Sequence, residues 1–408
     1  MQEHIHRGSA RSKRGHGDGG IDARGENTWR LRYRINGRRY TKTVQGTKAQ
    51  AQRALRNLLH AGDTGNHVTP DKMTVGRWIE HWISIGCPGK RRKAVGVRAR
   101  ERYAQLLRCH VVPALGARLL QQLQSTEIDD LYTRLAETMA ESTLRYVHIV
   151  FGSCLATAVR TRKITRNPMS ELAKVPAVKR GQQHGTVLEA GQLRSLIQGF
   201  CGSTLFPIVA VAAFTGARRN EILALQWNDL DVTAKTLRIE RAVDDTKAHG
   251  LRLKGPKTER GRRTITIDDD LITLLLAERE RHLRIMAGVP DGAAVDLSLV
   301  KLPAEALMFP RPPGSGKSFS FTELRVPRHV TKQFERTAPK LGFAGLRFHD
   351  LRGTHATLLL NAGVPAHVVA ERCGHDTAVL WSNYAKMTKS ANTSAADVIG
   401  TLTKGALA

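Results

Sequence analysis

At 408 residues, 41% apolar and 25% charged, the chain has the composition of a globular protein but exceeds what one compact core organises. Sixty-four Lys and Arg against 36 Asp and Glu leave a net charge of +28, which selects a polyanionic partner such as DNA or RNA. The longest apolar run, 205–214, is about half a membrane span, no apolar signal-peptide core opens the chain, and five scattered cysteines (Cys87, Cys109, Cys154, Cys201, Cys373) form no CxxC pair, so a soluble, reduced, cytoplasmic protein without membrane contact or zinc finger is expected.

Residues 1–20 are rich in Gly, Arg and His with almost nothing apolar, which predicts a disordered basic tail. In 28–44, Trp29, Leu31, Tyr33 and Ile35 alternate with Arg30, Arg32 and Arg34, the Asn36-Gly37 pair signals a hairpin turn, and Arg38 and Arg39 open a second strand. A helix is expected over 47–60, with Ala51, Ala54, Leu55, Leu58 and Leu59 on one side. The first 60 residues hold 14 Lys and Arg against 4 Asp and Glu, a net of +10. The segment 21–66 therefore reads as a small basic sheet packed on a helix.

After a loop at 67–73, residues 73–173 lack strand alternation and read as all-helical. Two basic clusters stand out: 89–102, with Lys90, Arg91, Arg92, Lys93, Arg98 and Arg100, and 160–168, with Arg160, Arg162 and Lys163. Either alone is an ordinary solvated helix end; two in one domain of so basic a chain track a phosphate backbone better. Periodicity stops over 174–186, a Pro-, Gly- and Gln-containing linker. Residues 187–400 read as a mixed, mainly helical domain. Helices are expected at 205–214, just after Gly216, and at 269–286, 322–341, 350–361 and 366–372, with strands near 236–242, 250–255 and 262–267.

"PPGSGKS" at 312–318 fails as a phosphate loop: Arg311 stands where its first glycine belongs, and Pro312 and Pro313 lack the needed N–H groups. The adjacent carboxylates Asp268, Asp269 and Asp270 diverge, so they suit a helix start and not a metal pair; no metal site or cofactor is expected. Arg218 and Arg219 sit at a helix start, where the dipole disfavours cations, which fits either an anion nearby or a simply exposed pair of arginines. Six basic residues from Arg252 to Arg263 face only Glu259 in a hairpin with Lys257 near its tip. In "HDLRGTHATLLLNAG", 349–363, His349 and Arg352 lie at i and i+3 and share a helical face.

Taken in order, "TGARRNEILALQW", "GPKTERGRRTITI", "HDLRGTHATLLLNAG" and "ERCGHDTAVLWSNYAKM" resemble the catalytic domain of tyrosine recombinases of the phage integrase type, over about 185–390. Residues 73–173 resemble the family's helical core-site-binding domain, and 20–60 its small arm-type DNA-binding domain. The resemblance implies an α+β multidomain protein with an arm-binding sheet and helix, an all-helical core-binding domain and a mixed catalytic domain with a small antiparallel sheet. It assigns Arg218 and Arg352 to a phosphate clamp, Lys257 to the hairpin lysine, His349 and His375 to the two histidines, and Tyr384 to the nucleophile. Gly353 and the "WSNY" approach to Tyr384 depart from the usual pattern without touching a proposed catalytic position.

The chemistry agrees with this. Attack on a phosphodiester builds charge on the equatorial oxygens, and arginines clamp that charge in a planar, bidentate way without a metal. A tyrosine nucleophile needs a positive site and a base, and the leaving 5′ oxygen needs a proton, for which Lys257 is the candidate donor. The expected function is site-specific integration and excision of a mobile element such as a prophage, on double-stranded attachment sites. Family resemblance adds a tetramer on paired sites, with an excisionase and a host DNA-bending protein as accessory partners. The rivals are a Xer-like resolvase and a non-catalytic DNA-binding regulator of the same fold.

Overall fold

The computed structural model describes residues 19–64, 67–90, 93–173, 185–255, 261–316, 318–374 and 376. The chain divides into two compact units, Met1–Lys179 and Arg180–Ala408. Of the expected tail, 1–18 lie outside the described residues, as do 174–184 of the expected linker.

The first unit opens with strands β1 (Gly20–Gly25), β2 (Thr28–Ile35) and β3 (Arg38–Gln45) in an antiparallel sheet ordered β1-β2-β3, followed by helix α1 (Lys48–Asp63). Asn36 and Gly37 both take positive φ (47° and 77°), the geometry of a tight hairpin turn matching strand twist. Thr47 and Gln50 cap α1 reciprocally, and Leu31, Tyr33, Ala51 and Leu55 are buried between sheet and helix. Strand β1 is an element the sequence pattern does not announce: its one large apolar residue is Ile21, and pairing with β2 holds the strand, not an apolar face of its own.

Helices α2 (Val75–Ser84), α3 (Val97–His110), α4 (Val112–Leu115), α5 (Ser125–Thr138) and α6 (Glu141–Arg160) complete the unit. Trp78 and Trp82 fill their core. Both indoles stay satisfied there, Trp78 Nε1 donating to the Cys154 carbonyl at 3.1 Å and Trp82 Nε1 to Thr157 Oγ1 at 3.2 Å.

The second unit begins with α7 (Ala190–Gly199), α8 (Phe206–Thr215) and the single turn α9 (Arg219–Ile222). Short strands follow: β4 (Leu230–Asp231), β5 (Thr236–Ile239), β6 (Ala242–Thr246), β7 (Gly250–Lys254) and β8 (Arg263–Thr266), then α10 (Asp269–Ala287), α11 (Pro327–Thr337), α12 (Asp350–Asn361) and α13 (Ala366–Cys373). The strands form one sheet ordered β4-β5-β8 and a separate β6-β7 hairpin. Helix α8 is apolar all round and accordingly sits in the core.

Four expectations are corrected in detail. The hairpin expected around Lys257 is not one: β7 pairs with β6 and β8 with β5, so the strands on either side of Lys257 belong to different sheets. The strand expected over 236–242 is two strands, β5 and β6, broken where Arg241 donates to Asp229 at 2.5 Å. The helix expected over 322–341 starts at Pro327 and ends in a 3-10 turn, because the residue before a proline favours extended backbone: Val326 has ψ 116°. Helix α7, whose sequence carries glycines at 191 and 199, was not expected at all. Asp268 caps α10 through Leu271 N at 3.0 Å, as its position before an apolar run suggests. Among the described residues no helix is long and apolar enough to cross a membrane.

Candidate active site

The ends of α8, α12 and α13 converge in the second unit. Helix α8 stops at Gly216, which takes the left-handed conformation (φ 62°); a side chain there would also meet the His355 ring at 2.6 Å. That sharp exit turns the chain so that Arg218 becomes the cap residue of α9. Its backbone N–H and Nη1 both donate to the Glu221 carboxylate, at 2.9 and 2.7 Å, and Nη2 donates to the Gly374 carbonyl at 3.1 Å.

Arg352, in the first turn of α12, is buried to 2% exposure, while the Arg218 side chain keeps 39%. The Arg352 guanidinium donates Nη1 to the Gly216 carbonyl at 2.6 Å and Nη2 to the Cys373 carbonyl, and its buried Nε finds no hydrogen-bond partner among the described residues. Burial lowers its pKa to about 10, which leaves it charged at neutral pH. Arg218 and Arg352, distant in sequence, therefore rest on adjacent carbonyls at the end of α13.

His349 stands at the cap position of α12 and is exposed as a residue. Partial burial of its imidazole, then the charge of Arg352, push its pKa down; Asp350 opposes this, and Arg218 and Arg347 add to it. Asp350 is itself buried and tied to Arg347 at 2.8 Å. The geometry thus gathers two arginines and a histidine held toward its neutral form.

Four further residues belong to this cluster, and sequence reasoning passed over them. Glu221, 6% exposed, binds Arg218 and also accepts from Arg263 Nη2 at 2.8 Å. Burial raises a carboxyl's pKa, but the hydrogen bond and charge of Arg263, followed by Arg218, outweigh it and hold Glu221 below the ordinary carboxylate range. His355 is buried, with Nδ1 2.8 Å from the Ala213 carbonyl, which fixes the proton on Nδ1 and leaves Nε2 to accept from Arg372 Nε at 3.2 Å. The available signal was position within the four motifs: Glu221 three residues after Arg218 in a capping pattern, Arg263 ending "GRR", His355 six after His349, and Arg372 three before His375.

Lys257, His375 and Tyr384 lie outside the described residues, as do Arg91 and Arg92. In the first unit, Arg30 and Arg32 both pair with Asp22, at 3.1 and 2.7 Å. Arg34 and Arg39 are exposed and directly opposite each other across β2 and β3, and Arg38 is exposed opposite Ile35. Lys90, Lys93 and Arg98 are exposed; Arg100 is half-buried. Arg160 donates to Thr157 Oγ1 at 2.7 Å, Arg162 is exposed at positive φ (56°), and Lys163 pairs with Asp71 at 3.1 Å.

Residues 186–391 match the model of the phage integrase family. An integrase of Streptomyces ambofaciens is 26% identical over 383 residues, spanning 92% of this chain and 93% of that protein. The fold matches the Tn1549 transposon integrase in complex with a circular-intermediate DNA (TM-score 0.58, 17% identity, 76% of this chain and 95% of that one). It also matches a lambda integrase dimer bound to a core site (TM-score 0.54, 14% identity, 89% and 94%). The fold and these matches define a site-specific DNA recombinase of the tyrosine type. The chain belongs to the phage integrase family.

Proposed function

We propose that this recombinase integrates and excises a mobile element, such as a prophage, by metal-free strand exchange at double-stranded attachment sites. Arg218 and Arg352 clamp the non-bridging oxygens of the scissile phosphate. His349, neutral at physiological pH, takes the proton of the Tyr384 hydroxyl as its oxygen bonds to phosphorus. The bond from phosphorus to the 5′ oxygen breaks, and Lys257 supplies the proton that makes the free 5′-hydroxyl; His375 supports the same phosphate. A 5′-hydroxyl from the partner strand then reverses the step. The covalent 3′-phosphotyrosyl bond conserves the phosphodiester's energy, so no ATP is needed and chelators leave cleavage unchanged.

The observation that carries this reading is the shared seat of Arg218 and Arg352 on neighbouring carbonyls, with His349 at the start of the helix that bears Arg352. Preorganised donors of this kind are the largest single contribution to such catalysis. In the wider reading, 21–66 binds arm sites through Arg30, Arg32, Arg34, Arg38 and Arg39, and 73–173 grips the core site through its two basic clusters. Four chains assemble on two paired sites in the cytoplasm, with an excisionase and a host DNA-bending protein setting direction.

The test is Tyr384→Phe on a nicked suicide duplex. Covalent protein–DNA adducts are expected to vanish while duplex affinity stays within about threefold, because phosphate contacts dominate binding. Adducts persisting at the wild-type level would place the nucleophile elsewhere.

A further inference from the structure

The last turn of a helix leaves its final carbonyls without intrahelical partners, at the negative end of the helix dipole. In α13 three consecutive carbonyls of that kind are each taken by an arginine from a different element. The Arg372 carbonyl accepts from Arg263 Nε at 2.8 Å, Cys373 from Arg352 Nη2, and Gly374 from Arg218 Nη2 at 3.1 Å. The end of α13 is therefore a three-point seat, and a shift of this helix end moves all three guanidinium groups together.

What fixes the seat is the side chain of its first member. Arg372 reaches back from α13 and donates Nη1 to the Thr266 carbonyl of β8 at 2.8 Å, Nη2 to the Phe214 carbonyl of α8 at 3.0 Å, and Nε to His355 Nε2 of α12 at 3.2 Å. Its fork thus ties three elements that pack around the clamp to the helix end that holds it. His355 is in turn fixed by the Ala213 carbonyl, so the acceptor on α12 cannot rotate away without breaking a second bond. Lysine, with one ammonium on a flexible stem, cannot make the same three directed bonds.

We propose that Arg372 is a positioning residue for strand cleavage: by pinning the end of α13 to α8, β8 and α12 it sets where Arg218 and Arg352 meet the scissile phosphate. This rests on the reading of Arg352 as a clamp residue. A misplacement of about 1 Å in such a site can cost on the order of 10²-fold in rate.

The experiment is a mutant cycle in the full-length chain, reading single-turnover cleavage of a nicked core duplex together with affinity for the same duplex. Arg372→Gln is expected to lower cleavage by about 10²-fold while affinity changes by less than about threefold. If Arg372 acts through the clamp, combining it with Arg352→Lys must be far less than multiplicative. The double variant is then expected within about tenfold of Arg352→Lys alone. A multiplicative loss, or an equal fall in affinity and cleavage, would reduce Arg372 to a general stabiliser and overturn the proposal. Wild-type cleavage by Arg372→Gln would overturn it directly. Normal cleavage by Arg352→Lys would instead remove the clamp reading beneath it, so the two failures are distinguishable. Should Arg372→Gln not fold, His355→Gln loosens the same guanidinium and enters the same cycle with the same expected sign.

Discussion

The two units use one residue type in opposite ways. In the second unit the Arg352 and Arg263 side chains are almost wholly buried, and both Nη groups of each donate to a named carbonyl or carboxylate. In the first unit Arg32 keeps 57% of its side chain exposed and Arg34 and Arg39 stand in solvent. A buried fork has one geometry and acts through direction; an exposed one has many and acts through charge. Substitutions that keep charge but lose the fork should therefore separate the two units.

The largest expected effect tests that separation directly. Arg352→Lys keeps the charge and gives up the fork that spans the Gly216 and Cys373 carbonyls. Cleavage of a core duplex is expected to fall by roughly 10²- to 10³-fold, the cost of removing one preorganised donor to a developing oxyanion. The matching Arg34→Lys change should leave cleavage within about twofold, since a solvated cation is replaced by another. Equal losses at the two positions, measured as adduct formation over time, would erase the distinction.

Acid provides a second contrast, this time in stability. His355 and His282 are buried in the second unit, and burial, helped at His355 by Arg372, lowers each from 6.5 to about 4. Trp227 Nε1 donates to His282 Nδ1 at 3.1 Å, which itself requires an unprotonated nitrogen. Unfolded histidines take up protons near their ordinary value, whereas these two do so only near 4, so the unfolded chain binds more protons between those limits. Stability is accordingly flat above about pH 6.5 and declines as pH falls through that window, by about 2 kcal/mol per histidine between pH 7 and pH 5. His67 and His148 of the first unit are only partly buried, so the loss should fall chiefly on the second. Calorimetry at the two pH values, with His282→Gln as the control that keeps an acceptor for the indole, checks it. The variant should lose less stability on acidification than the wild type, and parallel losses would discard the linkage.

Much of the fold was legible because the local signals agreed with it. Asn36-Gly37 made the hairpin, Thr47 and Gln50 opened α1, and Gly216 ended α8, each through backbone chemistry that needs no tertiary context. Strand β1 and helix α7 were invisible because neither carries a strong apolar period of its own; neighbours hold them. At the site, Arg218, His349 and Arg352 were legible from family-like motifs. Glu221, Arg263, His355 and Arg372 were not, although each lies inside one of those motifs. A sequence displays the charge of an arginine but not the carbonyl at which it points, and the seat at the end of α13 consists of main-chain oxygens that every residue possesses.

The smallest expected effect belongs to the sheet. Arg34 and Arg39 face each other directly across β2 and β3, and like charges so placed repel. Folding alone gives no reason to keep them, whereas an anionic partner laid across the sheet does. Arg34→Ala should then leave the melting temperature unchanged or slightly raised, because it relieves the repulsion. Affinity of the full-length protein for an arm-site duplex should fall by a few-fold at low salt, and the slope of log affinity against log salt should shrink by about 1, the signature of one lost phosphate contact. Cleavage of a short core duplex, which carries no arm site, should not change. An unaltered salt slope would mean that Arg34 never meets a phosphate. In that case the exposed arginines of the sheet, unlike the buried ones around α13, would be no more than a solvated face.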